Sequence, residues 1–159
     1  MVVEVETPEG IKSESSVVEV RTTESSNKIL STDKVYIRGE GVFIDFANCK
    51  TLFVLLHGSE LSSYPHALIY DAIPYGGSGP GNSHNRMKYY GTLKNAKGVV
   101  PPEKYPRMVY FEDINDPLSV KRVTLENMED IFGEGVEIKQ ITVQTTNTKL
   151  QSITKFYKI

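Results

Sequence analysis

The sequence predicts a mainly β fold: an antiparallel β-sandwich or partly open barrel with one to three short helices and a long Gly/Pro/Tyr-rich insertion. Three observations carry this expectation. Residues 42–46 and 52–56 are short runs of β-branched, aromatic and aliphatic residues separated by Ala47-Asn48-Cys49-Lys50, the pattern of a paired antiparallel hairpin. Strand-like alternation recurs on both sides of it, whereas helical spacing is confined to short windows. Strands and helices also lack the regular alternation of a doubly wound parallel sheet.

The elements follow in chain order. Val3 and Val5 alternate with Glu4 and Glu6, which predicts a half-buried strand, and Pro8-Glu9-Gly10 supplies a turn. Lys12-Ser13-Glu14-Ser15-Ser16 is polar and reads in part as connection, before Val18 and Val20 alternate with Glu19 and Arg21 in a second half-buried strand. Residues 22–33 are polar and Ser/Thr-rich, hence an exposed loop. Residues 34–38 form a third short strand, and Gly39-Glu40-Gly41 lets the chain bend or bulge into the hairpin. In that hairpin Val42, Ile44 and Phe46 share one face. The run 52–56 is apolar at nearly every position, which predicts cover on both faces.

Residues 58–106 hold most of the glycines and prolines and read as an irregular insertion within a single domain spanning 1–159. Pro65 and residues 66–73 fit a short helix or a strand; the period does not separate them. Residues 75–83 are loop. Met87, Tyr90, Leu93 and Ala96 are spaced by three as in a helix, against which Gly91 counts about 1 kcal/mol relative to alanine. Prolines hold 99–106 extended. Regular structure resumes with a strand at 108–111. Asp116 then caps a single helical turn opened by Pro117. Thr124 caps a helix whose face is Leu125, Met128, Ile131 and Phe132, with Gly133 as terminator. The longest strand pattern is 135–146. Its apolar parity switches between Val136/Ile138 and Ile141/Val143, which predicts a bulge near Lys139-Gln140 or a crossing between two sheet surfaces. Leu150, Ile153 and Phe156 predict a closing helix.

Bulk properties exclude some classes. A net charge of −2 over 159 residues leaves no global basic footprint for nucleic acid. No stretch approaches the ~20 apolar residues of a membrane-spanning helix. The single cysteine, Cys49, excludes an intramolecular disulfide. The start Met-Val-Val-Glu-Val-Glu enters a strand pattern directly, as in a protein whose export leader has been removed or in a plain cytoplasmic one.

Several segments resemble a family of uncharacterised, largely proteobacterial envelope proteins, many with a predicted lipoprotein leader. They are Val3-Glu4-Val5-Glu6-Thr7-Pro8-Glu9-Gly10 with residues 15–20, Arg38-Gly39-Glu40-Gly41-Val42-Phe43-Ile44-Asp45 with 52–56, and Phe111-Glu112-Asp113-Ile114-Asn115-Asp116-Pro117-Leu118-Ser119-Val120. Residues 132–136 and 141–144 belong to the same pattern. The resemblance implies a periplasmic or envelope setting with the leader removed, and no activity. A lipobox cysteine is missing, so lipidation does not carry over.

Chemistry-bearing motifs are sparse. The glycines at 76–81 lack the Gly-Lys-Ser/Thr ending of a phosphate loop. His57, His66 and His84 show no metal-ligand spacing. Cys49 sits in a predicted turn rather than beside a base. Glu112, Asp113, Asn115 and Asp116 break the order of a calcium loop and suffice as turn and cap residues. The expectation is therefore a protein-binding or structural module without cofactor or metal, its contact surface built on Tyr70, Tyr75, Tyr89, Tyr90 and Arg86 in the insertion. The alternatives are a hydrolase-like site assembled from His57, Asp71 and His84 or His66 under the glycine loop, and a homo-oligomer pairing through strand edges at 3–7 or 34–38.

Overall fold

The computed structural model describes residues 1–23, 34–56, 67–78 and 83–147, and it is mainly β, with three antiparallel sheets, none of them closed. In the first sheet, β1 (Val2–Thr7) turns through Pro8-Glu9 into β2 (Gly10–Ser15). Gly10 takes φ +120°, open to glycine and rare for other residues, and Thr7 Oγ1 donates to its carbonyl at 2.7 Å. On its other side β1 pairs with β10 (Glu137–Gln144), and β7 (Lys97–Val99) completes the order β2-β1-β10-β7. The parity switch in β10 is a bulge. Glu4 lies opposite Gln140 and Val5 opposite Ile138, so Lys139 is the extra residue.

The predicted hairpin seeds the second sheet. β5 (Val42–Asp45) pairs with β6 (Thr51–Val54), followed by β8 (Met108–Phe111) and β9 (Val120–Val123). Alternation sends Val42, Ile44, Leu52, Val54, Met108, Tyr110 and Val123 inward to join Val3, Val5 and Ile141 in one core. At the turn, Cys49 takes φ 60° and is exposed. Asn48 Nδ2 and Lys50 Nζ donate to the Ile131 carbonyl at 3.1 and 3.0 Å, so the hairpin turn caps the end of α3 (Met128–Phe132). Phe46 meets Phe132 at 4.5 Å between ring centres in the same contact. The two sheets approach edge to edge at β2 and β5. No ladder joins them among the described residues; Lys12 Nζ instead donates to the Asp45 carbonyl at 2.8 Å. The third sheet is a two-stranded ribbon, β3 (Val18–Thr23) with β4 (Lys34–Gly39).

Several expectations need correction. Residues 12–15 are strand, not connection: β2 is a mostly exposed edge whose polar sequence carries no periodicity. The strand β9 follows the Pro117–Ser119 turn and was hidden because it too is mostly exposed. β6 is fully covered on one face only, where Leu52 and Val54 are buried while Thr51 and Phe53 are half-exposed. Residues 99–106 are not extended throughout; Pro102–Lys104 is a 3-10 turn, which the fixed φ of proline permits at its start. β1 is an interior strand, so residues 3–7 offer no free edge, whereas β4 pairs only with β3 among the described residues. The closing helix at 150–156 lies outside the described residues.

The insertion is more regular than its composition predicts. Its described part forms α1 (Ala67–Ala72), α2 (Ser83–Thr92) and β7, which is an integral strand of the first sheet. Leu68, Ala72, Ile73, Tyr90 and Val100 are buried in the common core. In α2, Gly91 is exposed and a Cβ built there meets nothing within 4 Å. Gly91→Ala is therefore expected to stabilise the protein by about 1 kcal/mol, raising Tm by about 3 °C in a thermal melt.

Candidate ligand groove and tyrosine cluster

The elements of the insertion bring Tyr70, Tyr75, Tyr89, Tyr90 and Arg86 together. α1 carries Tyr70, α2 carries Arg86, Tyr89 and Tyr90, and Tyr75 lies just after α1. Ring centres are 4.8 Å apart for Tyr70–Tyr90, 5.1 Å for Tyr89–Tyr90 and 5.2 Å for Tyr75–Tyr89, the last two edge-on. The Arg86 guanidinium lies 5.6 Å from the Tyr70 ring centre and 5.7 Å from that of Tyr75. The i, i+3 and i, i+4 spacing of Arg86, Tyr89 and Tyr90 on α2 places the cation and both rings on neighbouring turns. Two hydroxyls are engaged with backbone: Tyr90 donates to the Ile73 carbonyl at 2.6 Å and Tyr75 to that of Ser78 at 3.2 Å. Burial raises the Tyr70 and Tyr90 phenols above their usual pKa, partly countered by the Arg86 charge, so both are neutral donors at physiological pH.

Beside this cluster opens a groove of about 480 Å³. The β3 segment supplies one wall with Val17, Val18 and Val20; α1 and the end of α2 supply Leu68, Ile69, Tyr70, Tyr90 and Leu93. Leu56 and Val143 add aliphatic surface, and Gln144, Thr145 and Asn147 form a polar stretch where β10 runs out. The strand end is held in place by Ala96, whose N–H donates to Thr145 Oγ1 at 3.0 Å and whose carbonyl accepts from Thr145 N–H at 2.9 Å. Ser16 also lines the groove, and its hydroxyl is buried without a hydrogen-bond partner among the described residues. Leaving such a group unsatisfied costs about 1–3 kcal/mol.

Asp71 is half-buried on α1; His57 and His66 lie outside the described residues, as does the side chain of His84 on α2. Among the described residues no three His, Cys, Asp or Glu side chains converge as a metal ion requires. The acidic stretch after β8 is engaged internally: Asp116 accepts from Leu118 N–H at 2.9 Å and Asp113 from Asn115 N–H at 2.9 Å. No helix among the described residues is long and apolar enough to cross a membrane. Sequence reasoning found the tyrosines and Arg86 from their density in one segment. It missed the aliphatic wall, because Val17, Leu68, Leu93 and Val143 come from four distant elements. Compared with known proteins, the chain matches no family model, no curated sequence and no solved structure.

Proposed function

We propose that this chain is a non-enzymatic binding module that holds an amphiphilic small molecule in the groove between β3 and the α1–α2 pair. The observation that carries the reading is the groove itself. Its volume of about 480 Å³ falls in the range of small-molecule sites. Its walls carry aliphatic and aromatic side chains, which favour an apolar body, and Glu19 with the Gln144–Asn147 end supplies polar partners for a head group. The tyrosine cluster acts as the rigid backing of one wall, since its rings pack on one another and the Tyr75 and Tyr90 hydroxyls are tied to backbone. The setting we propose is the bacterial envelope, supported by the resemblance of residues 3–10, 38–45, 52–56 and 111–120.

The reading is tested with single-chain amphiphiles of graded length and with a hydrophobic fluorophore, titrated against the protein below their micellar concentrations. Saturable one-to-one binding is expected, weakened at least 10-fold by Leu93→Trp, which fills the groove from its half-exposed lining. Absence of saturable binding, or equal binding by a Leu93→Trp variant with an unchanged melt, overturns the proposal.

A further inference from the structure

The polar groups of the groove are few and of unequal kind, and they select among head groups. Ser16 lies between β2 and β3, and its backbone is fixed on both sides: its N–H donates to the Met1 carbonyl at 2.9 Å and its carbonyl accepts from the Met1 ammonium at 2.8 Å. Its side chain has no such partner. The Ser16 hydroxyl is the one buried side-chain polar atom without a hydrogen bond among the described residues, and Ser16 lines the groove. A solvated hydroxyl gains little from a ligand, because it gives up a bond to water for the new one. A hydroxyl already out of water gives up nothing, so a partner that reaches it gains the whole interaction. A serine side chain turns about a single bond, and its oxygen both donates and accepts.

Charge narrows the class of ligand. Glu19 is the only charged side chain among the described residues that line the groove. The exposed Arg21 guanidinium already lies 3.4 Å from its carboxylate. The Met1 ammonium is engaged by the Ser16 carbonyl, and burial lowers its pKa. Arg86 packs against the Tyr70 and Tyr75 rings and is not part of the lining. A carboxylate or phosphate head entering here loses hydration, meets no basic side chain and faces Glu19. A quaternary ammonium competes with Arg21 for that carboxylate and has no N–H or O–H to offer Ser16. A neutral head with hydroxyl groups meets neither obstacle: it can donate to Glu19 and bond with Ser16 and with the Gln144 and Asn147 carboxamides, which both donate and accept. We propose that the ligand is a single-chain amphiphile with an uncharged, hydroxyl-bearing head, of the monoacylglycerol class, anchored by the Ser16 hydroxyl. This assignment rests on the binding-module reading of the same groove and adds to it the head group and the residue that holds it.

Calorimetric titration of the whole chain at neutral pH, below micellar concentrations, tests this with compounds that share one chain length: monodecanoylglycerol, decanoate, decyl phosphate and decyltrimethylammonium. The monoglyceride is expected to bind about 10-fold more tightly than each charged compound. Ser16→Ala should weaken the monoglyceride about 5–10-fold without lowering the Tm of the free protein, since it removes a hydroxyl that bonds to nothing there. A hydroxyl that merely held the fold would give the reverse, a lowered Tm with the head-group preference kept, and that result overturns the anchor. Glu19→Gln should narrow the preference for the monoglyceride over decanoate several-fold. The comparison of head groups uses the unaltered chain, so it decides even if Ser16→Ala folds poorly. A charged compound that binds as tightly as the monoglyceride, or a Ser16→Ala protein that binds it like the parent, overturns the assignment and leaves the groove reading standing. If no compound of the series binds, both fall together.

Discussion

Replacing Gly98 by alanine is expected to cost about 3 kcal/mol or more, at the upper end of what overpacking does to a folded chain. A Cβ built on Gly98 lies 1.9 Å from the Ala72 carbonyl oxygen and 2.9 Å from Ile73 Cγ1. The first contact is backbone against backbone, so no rotamer change relieves it. It exists because the C-terminal end of α1 rests directly on β7, and β7 is itself pinned to β10 through Gly98 opposite Val143. The chain has two ways to admit a methyl group: lift α1 and expose Leu68, Ala72 and Ile73, or detach β7. Lifting α1 also moves Leu68, Ile69 and Tyr70 out of the groove wall. Urea unfolding should show a lowered midpoint with little change in slope, and amphiphile binding should weaken in parallel. Gly91→Ala, one helix away in the same insertion, carries the opposite expected sign, so the pair separates steric crowding from glycine entropy. A Gly98→Ala protein that melts with the parent would mean that α1 is not seated on this strand.

That contrast marks the boundary of what periodicity reveals. The bulge at Lys139 was legible because a shift of one residue in β10 flips every apolar side chain, and the flip from Ile138 to Ile141 is visible in the chain. The hairpin of β5 and β6 was legible because both runs feed one core. β2 and β9 were not, since an edge strand with exposed side chains is stabilised by its ladder and leaves no apolar rhythm. β7 was hidden for a related reason: three residues, one of them Gly98, are too few to display a period, and their membership in the sheet depends on a partner far along the chain. The tyrosine cluster was half legible. Arg86, Tyr89 and Tyr90 share a helix, but the meeting of Tyr70 with Tyr90 required the fold of α1 onto α2. The groove was not legible, because its walls span Val17 to Asn147 and only tertiary packing places them opposite one another.

Leu52→Ala should cost about 2–5 kcal/mol, a large share of the 5–15 kcal/mol that holds a domain together. Leu52 is fully buried, and its strand is the second of four in the sheet. Its register partner Ile44 is 2% exposed, so the space vacated by the side chain opens onto tightly packed neighbours rather than solvent. A strand cannot shift to refill that space. Moving β6 by one residue would bring Phe53 inward and break its pairing with both Phe43 and Val109. The adjacent Phe53→Ser change removes a larger side chain from the same strand, yet from the outer face, where Phe53 is half-exposed and meets Phe111 edge-on. Its expected cost is about 1 kcal/mol. Urea unfolding measures both. Leu52 must prove several-fold more costly than Phe53, because the strand has one committed inner face; equal costs would mean that both faces of β6 are covered.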